Sequence, residues 1–237
     1  MKFENTEVFN FKGALRGMRN PKNSWGRGDS CFCSGEPDCE GNCSVHIGKN
    51  DMKLAIALIK GGSEHRKFLR QIFVSVDITA PLYWWKEFDT YKVGTVANST
   101  STMHKLATTP ITRECFELDD YCDGLQIMDE FSVNFGVNTH IALCEDLRQM
   151  YLKTGDKRYW KELIRWLPES WLQTRTVTMN YENVFNMVHQ RKTHKLNEWS
   201  GIDFDTPNFI AWAKSLPYAN EFIFLTEKRS NEENLNY

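Results

Sequence analysis

Several features that would assign a function directly are missing from this sequence. No apolar run approaches the ~20 residues that a bilayer-spanning helix needs. The formal net charge is −2, so there is no excess of basic residues for a nucleic-acid surface. The first residues, MKFENTEVFNFKG, do not follow the basic-then-apolar order of a secretory signal. We therefore expect a cytoplasmic protein that binds neither a membrane nor a nucleic acid.

Short catalytic motifs are missing as well. The chain contains no P-loop, no G-x-G-x-x-G, no nucleophile elbow and no H-E-x-x-H. None of its six histidines forms a close pair with the spacing of metal ligands. No common class of active site is therefore indicated by a motif.

The composition is that of an ordinary globular protein. The 237 residues are 41% hydrophobic and 25% charged, and a chain of this length can bury a core without disulfides. We predict a single domain over residues 1–228, with a Cys-rich loop inserted at 26–45 and an acidic excursion at 116–139. Residues 229–237 are polar and are predicted to form a disordered tail.

Cysteine is unevenly distributed. Four of the seven cysteines lie in the 26–45 loop, namely Cys31, Cys33, Cys39 and Cys43. Thiolates at short spacings bind zinc, but this C-x-C-x5-C-x3-C spacing differs from the C-x2-C pairs of common zinc sites. The loop is also rich in Gly, Ser, Asp and Pro, as a turn-forming insertion without metal would be. Both interpretations stay open, and the scattered cysteines are expected to be buried or incidental thiols: Cys115, Cys122 and Cys144.

Hydrophobic periodicity predicts helices and a few strands. Helical spacing predicts a helix over 52–59 that ends at Gly61, and alternation predicts a strand over 72–78. Pro81 is expected to open a helix that ends at Gly94, and the Ser/Thr-rich 94–115 stretch reads as a loop. A helical tract follows 141, with Pro168 expected to kink or restart it. The pattern further predicts helices over 178–192 and 209–216 and a strand in EFIFL, which gives an α+β protein.

A basic cluster lies at residues 189–195, HQRKTHK, in an otherwise neutral chain. At a helix end, Arg191, Lys192, His194 and Lys195 could meet a phosphate or a carboxylate. A solvated helix face is the alternative.

Three separated stretches together resemble the flavin-dependent thymidylate synthases. LPESWLQTRTVTMNYENVFNMVHQR resembles the family's L-P, T-x-N and Arg pattern, with Thr178, Asn180 and Arg191 in place, and Asn197-Glu198-Trp199 is similar to the following A-Q-W. His65 sits at the first His of the family's G-H-x-S-x-x-x-H, and Gln71 stands where the second, flavin-site His is expected. The resemblance covers about residues 52–105 and 141–216.

The family's defining run, R-H-R-x-x-S-x-N-E-x-S-x-R, is matched only in part. Tyr91, Lys92 and Val93 occupy the R-H-R positions, while Asn98 and Ser101 match. The substitutions are Val96 for the first Ser, Ser99 for the Glu and Met103 for the final Arg. In the family these cations hold the flavin and the dUMP phosphate, and losing two or three such contacts, each about 1.5–3 kcal/mol, would weaken either ligand by several orders of magnitude. FAD is therefore a doubtful cofactor. Replacement cations could come from Arg16, Arg19, His104 or Lys105.

The resemblance implies an α+β fold, helix-rich with a small antiparallel sheet, a homotetramer, and FAD and dUMP sites between subunits. On it we hypothesise a nucleotide-binding protein that does not run ordinary dUMP methylation and that sequesters or senses a nucleotide. The alternatives are an active FAD-dependent enzyme acting on dUMP or a related pyrimidine nucleotide, and an interaction protein that keeps only the fold. The predicted nucleotide contacts are Asn98, Ser101, Asn180 and Arg191. The predicted ring or cofactor contacts are His65, Gln71, Tyr91 and Lys92.

Overall fold

The computed structural model describes residues 1–32, 45–118, 126–128, 131–203 and 205–225. The side chains of His104, Lys105, Phe131 and residues 126–128 are not described. Several predictions fall outside the described residues: those on Cys33, Cys39, Cys43 and Cys122, most of the acidic stretch at 119–130, and the tail at 229–237.

Strands and short helices alternate along the chain. The strands are β1 Lys2–Phe9, β2 Phe73–Pro81, β3 Val96–Ser99, β4 Gln126–Met128, β5 Phe131–Ser132 and β6 Leu172–Asn180. The helices are α1 Phe11–Met18, α2 Lys49–Lys60, α3 Leu82–Phe88, α4 Thr102–Lys105, α5 Val133–Thr154, α6 Lys157–Trp166, α7 Tyr181–Arg191, α8 Asn197–Ser200, α9 Phe209–Lys214 and α10 Ala219–Phe222. Single 3₁₀ turns or short 3₁₀ helices lie at Asn20–Lys22, Trp25–Arg27, Arg66–Gln71 and Arg113–Cys115.

In the described part of the chain, four strands form an antiparallel sheet in the order β1-β2-β6-β3. The alternation in the sequence of β2 corresponds to its two faces. Val74, Val76 and Ile78 are fully buried on one face, while their neighbours on the other face are not. The second face carries threonines of β6 beside Asp77 and is partly exposed. This one-sided burial is the usual arrangement of an antiparallel sheet.

The main core lies between the buried face of the sheet and helices α1, α3, α7 and α9. Its largest fully buried side chains include Trp84, Trp85, Trp199 and Tyr181. These three tryptophans are therefore core residues. A smaller core beneath α5 and α6 contains Leu106, Ile111, Phe116, Cys144 and Leu163.

The predicted fold class is confirmed, but some element predictions are wrong. Helix α6 ends at Trp166, before Pro168, and the chain then forms the strand β6 instead of continuing as a helix. The predicted helix over 178–192 begins only at Tyr181. Helix α3 ends at Phe88 and not at Gly94, and the predicted 94–115 loop contains β3 and α4.

The EFIFL stretch is also not a strand. Ala219–Phe222 forms a helical turn, and Phe222 and Ile223 are fully buried in the main core. Consecutive apolar residues suit either a buried strand or a buried helical turn, so packing decided the outcome.

None of the helices in the described ranges combines the length and the apolar content that crossing a bilayer requires.

Candidate nucleotide site

The segment at the family's R-H-R positions is held against α7. The Tyr91 hydroxyl donates to Gln190 Oε1 at 2.9 Å and accepts from Arg191 Nε at 2.8 Å. Two residues later, the Val93 carbonyl accepts from Asn183 Nδ2 at 2.7 Å. Lys92 lies between these attachments with its side chain exposed. The structure therefore places the segment of residues 91–93 beside α7, the helix that carries Arg191.

Arg191, the last residue of α7, lies in a group that we call the Arg191 cluster: Glu87, Tyr91, Arg191, His194 and Trp199. Arg191 Nη1 is 3.1 Å from Glu87 Oε2. Its guanidinium carbon lies 5.5 Å from the Tyr91 ring centroid and 5.3 Å from that of Trp199. Hydrogen bonding, charge pairing and two aromatic faces together fix the direction of this guanidinium.

His194 approaches the same carboxylate from the other side. Its Nδ1 accepts the Leu196 backbone N–H at 3.1 Å, so the proton of the neutral ring must sit on Nε2. Nε2 lies 3.2 Å from Glu87 Oε2, which is within ion-pair distance but is not a hydrogen bond. Arg191 and His194 of the basic cluster thus lie beside a carboxylate of the same chain at a helix end, whereas Lys192 and Lys195 are exposed, as on a solvated helix face.

Asn180 has a clear local role. It precedes α7 as the N-cap: its side chain accepts from Asn183 N at 3.0 Å, and Asn183 Oδ1 accepts from Asn180 N at 3.2 Å. Arg191 lies at the opposite end of the helix, about 16 Å away at 1.5 Å per residue. Asn180 is therefore too far from Arg191 to orient its side chain directly.

Asn180 does constrain the signature segment. Gly94 has φ +78°, and a Cβ there would lie 2.8 Å from Asn180 Nδ2. A residue without a side chain is therefore needed where the chain turns toward β3.

Asn98 and Ser101 lie on and just after the edge strand β3. Asn98 is exposed and stands opposite Thr176 of β6, while Ser101 is partly exposed immediately before α4. The neighbouring cation, Arg175, was not found from the sequence. It stands opposite Ser99, donates from Nη1 to Asp89 Oδ1 at 2.7 Å, and lies 4.2 Å from the Trp85 ring centroid. Arg175 is not at a family motif position, and its contact with Asp89 spans 86 residues, so no local signal marked it.

His65 and Gln71 lie in a different place. Both line a groove of about 710 Å³ between the end of α1, helix α2 and the 3₁₀ helix Arg66–Gln71. Lys22 and Lys67 also line this groove, and a Cβ at Gly17 would lie 2.6 Å from Gln71 Oε1. The volume is within the range of small-ligand pockets. The predicted ring or cofactor contacts therefore separate into two groups, His65 with Gln71 and Tyr91 with Lys92.

The proposed replacement cations differ in their availability. Arg19 is buried, and its Nε donates to Asp51 Oδ1 at 2.6 Å, so its charge is already paired. Arg16 is exposed on α1. The side chains of His104 and Lys105 lie outside what the structure describes.

The structure gives no support for zinc. Within the described ranges, no three His, Cys, Asp or Glu side chains come together as metal ligands. Cys31 is exposed and its backbone pairs with that of His46. The other three cysteines of the loop lie outside the described residues, so the loop itself is not tested.

Comparison with known proteins identifies the fold but no sequence family. No protein-family profile matches the chain, and no curated protein matches it by sequence. Two solved structures of the flavin-dependent thymidylate synthase ThyX from Helicobacter pylori, both with FAD and dUMP, match with TM-scores of 0.61 and 0.62. The match covers 94% of this chain and 97–98% of the ThyX chains, at 16–17% sequence identity. The chain therefore has the fold of the flavin-dependent thymidylate synthases.

Proposed function

We propose that this protein binds a nucleotide on a thymidylate-synthase-like scaffold and does not run ordinary dUMP methylation. The observation that carries the proposal is the nearly end-to-end fold match to ThyX structures that contain FAD and dUMP. In this proposal the protein sequesters or senses a nucleotide or a nucleotide-like signal.

The residues at the R-H-R positions disfavour ordinary methylation. Tyr91 and Val93 carry no charge there, and the Tyr91 hydroxyl is engaged by Gln190 and Arg191. Val93 is 88% exposed and presents an apolar side chain. A diphosphate needs several charge-assisted hydrogen bonds, and of these three positions Lys92 alone supplies a cation. The residues at this segment do not fit the diphosphate of FAD.

Arg191 is the residue that we expect to meet the nucleotide phosphate. Its guanidinium is already oriented by Tyr91 and flanked by two aromatic rings. Asn98 and Ser101 are proposed as polar contacts at the β3 edge. His65 and Gln71, in the separate groove, are proposed to contact a base or ring. Two separated groups of contacts would suit sites completed between subunits.

The first test is chemical analysis of the protein as purified. We expect no flavin absorbance near 450 nm, and a nucleotide in the denatured extract or binding of UMP, dUMP or AMP in calorimetry. About one flavin per subunit would contradict the proposal and favour the active flavoenzyme. Failure to bind any uridine or adenosine nucleotide would favour an interaction protein.

A pair of variants links binding to the structure. Arg191→Ala should weaken nucleotide binding about tenfold or more, because a charge-assisted contact contributes about 1.5–3 kcal/mol. Arg165→Ala is the matched control, since Arg165 pairs with Glu162 on the exposed side of α6. Equal affinities for the two variants would contradict the role of Arg191.

A further inference from the structure

The Arg191 cluster has the arrangement of an oxyanion receptor. Arg191 Nη1 and His194 Nε2 both lie within ion-pair distance of one oxygen, Glu87 Oε2, at 3.1 and 3.2 Å, but neither makes a hydrogen bond with it, so a phosphate oxygen could be held better than this carboxylate. Each donor is fixed from behind, Arg191 through Nε to the Tyr91 hydroxyl and His194 through Nδ1 to the Leu196 N–H. Two donors held in this way are preorganised for an anionic oxygen whether or not Glu87 is present.

The anion that now fills this receptor belongs to the chain itself. Glu87 lies in the last turn of α3, and its side chain has three rotatable bonds that could move the carboxylate away. The side chains of Arg191, His194 and Glu87 are 20%, 21% and 33% exposed. Solvent therefore reaches parts of all three side chains, although Glu87 Oε2 itself is buried between them. A rotation of the Glu87 side chain would open this position to an incoming anion.

We infer that Glu87 is an internal competitor, which occupies the oxyanion site in the free chain and is displaced by the phosphate of a bound nucleotide. The identity of the ligand as a nucleotide rests on the proposed function, whereas the exchange of Glu87 for a phosphate depends only on the geometry of the cluster.

The competition also selects a class of phosphate. A phosphate monoester carries a charge of about −1.5 to −2 at neutral pH, whereas the Glu87 carboxylate carries −1. A monoester therefore gains more than Glu87 from the two donors, while a phosphodiester with a charge of −1 has no such advantage. The site should accept nucleoside monophosphates and exclude cyclic nucleotides.

The test is a titration of the wild-type chain, Glu87→Gln and Glu169→Gln with inorganic phosphate, UMP and cyclic UMP. Glu169 is the matched control. It lies outside the cluster and pairs at 2.6 Å with Lys86, the neighbour of Glu87 in α3. We expect Glu87→Gln to bind inorganic phosphate and UMP about five- to tenfold more tightly than the wild type. Glu169→Gln should match the wild type, and cyclic UMP should bind the wild type at least tenfold more weakly than UMP.

The outcomes separate this inference from the proposed function. Glu87→Ala is a second variant that controls for a local effect of the amide in Glu87→Gln. If phosphate affinity is unchanged in both variants, the inference is overturned even if UMP binds. An equal gain in Glu169→Gln would also overturn it, since a general loss of negative charge would then be the cause. Tighter phosphate binding in Glu87→Gln with no binding of UMP would uphold the exchange and refute nucleotide binding.

Discussion

Asn180 shows how a residue at a family motif position can have a structural role of its own. It is buried, caps α7 in a reciprocal pair with Asn183, and lies against the turn at Gly94. These contacts tie the start of α7 to the segment that leads into β3. A loss of nucleotide binding on mutating Asn180 could therefore arise from the scaffold as well as from a lost contact with the ligand.

Asn180→Ala should lower the free energy of unfolding by about 1 kcal/mol, because the first turn of α7 loses its cap. Asn180→Asp keeps the acceptor oxygen at the positive end of the helix and should stay close to the wild type. Urea denaturation of the three proteins measures the difference. Equal destabilisation by both variants would show that capping is not what Asn180 contributes.

Cys144 and Cys31 differ in what their thiols can do. Burial raises the pKa of Cys144 to about 11, so this thiol is protonated at neutral pH. Its Sγ lies 3.8 Å from the Trp166 carbonyl, under α6. Cys31 is exposed.

Iodoacetamide at pH 8 should therefore alkylate Cys31 and leave Cys144 unmodified in the native protein. Peptide mass spectrometry gives the extent at each site, and both cysteines should react after unfolding in urea. Modification of Cys144 in the native protein at the rate of Cys31 would contradict its burial.

Among the elements, α5 holds the smaller core through one ion pair. Glu145 and the buried Arg148 are bonded side by side, with 2.6 Å between Glu145 Oε1 and Arg148 Nη2. The pair also binds the segment of residues 107–111, because Glu145 Oε2 accepts from Ile111 N and Arg148 Nη1 donates to the Ala107 carbonyl. Leu106 and Ile111 are thereby held against Cys144 and Leu163.

Glu145→Gln should destabilise the protein at pH 7 by about 1–3 kcal/mol, since Arg148 would be left as a buried charge without its partner. The hydrogen bond from Arg148 lowers the pKa of Glu145 to about 2 from its ordinary 4.5. The carboxylate therefore stabilises the fold fully above pH 4.5, and its contribution is lost as the pH falls toward 2.

Urea denaturation at pH 7 and at steps below pH 4.5 tests this pH dependence. The difference in the free energy of unfolding between the wild type and Glu145→Gln should become smaller as the pH falls. Glu162→Gln, which removes an exposed i,i+3 pair with Arg165, should change stability little at any pH. A gap that stays constant down to pH 2 would contradict the assignment.

The elements also show which parts of the fold the sequence could predict. Strand β2 and helix α2 were predicted because their apolar residues repeat with periods of 2 and about 3.6. Strand β6 was missed because the apolar residues on both sides of it favour one continuous helical tract. Within the strand, however, Thr174, Thr176 and Thr178 alternate with Arg175 and Val177. The alternation of β-branched residues was a usable signal.

The candidate site was predictable only where its residues sit at family motif positions or in the basic cluster of residues 189–195. Arg191 was found in both ways and His194 in the second, but Glu87 was not found, because its ion pair with Arg191 joins positions 104 apart in the chain and neither flanking sequence marks it. Arg175 was missed for the same reason. Contacts of this kind depend on how α3 packs against α7 and β6, which local periodicity does not determine.

For the whole molecule, a fold match at 16–17% identity means that few particular residues are needed to keep the architecture. In this chain the architecture is held by the buried face of the sheet and the apolar sides of α3, α7 and α9. Cores tolerate extensive substitution when volume and patterning are kept. Contacts with a charged ligand depend on particular side chains, so a shared fold does not by itself carry a shared ligand site.

We propose that copies of the chain associate at the β3 edge, in line with the homo-oligomer expected from the sequence. All four residues of β3 are exposed, and Val93, Val96 and Met103 beside or within it are 88%, 68% and 54% exposed. An exposed edge strand with apolar side chains favours pairing with another chain. Association there would also bring Asn98 and Ser101 of one copy against another copy.

Sedimentation equilibrium should therefore give a mass above the 27.7 kDa of one chain. Val96→Lys should shift the protein toward the single-chain mass, because burying a lysine charge in the interface is costly. Ile202→Lys is the matched control, since Ile202 is 61% exposed in the loop after α8. A single-chain mass for the wild type at all concentrations, or equal behaviour of the two variants, would mean that β3 is not the interface.

If association is lost in Val96→Lys together with nucleotide binding, while the free energy of unfolding per chain is unchanged, the site is completed between copies.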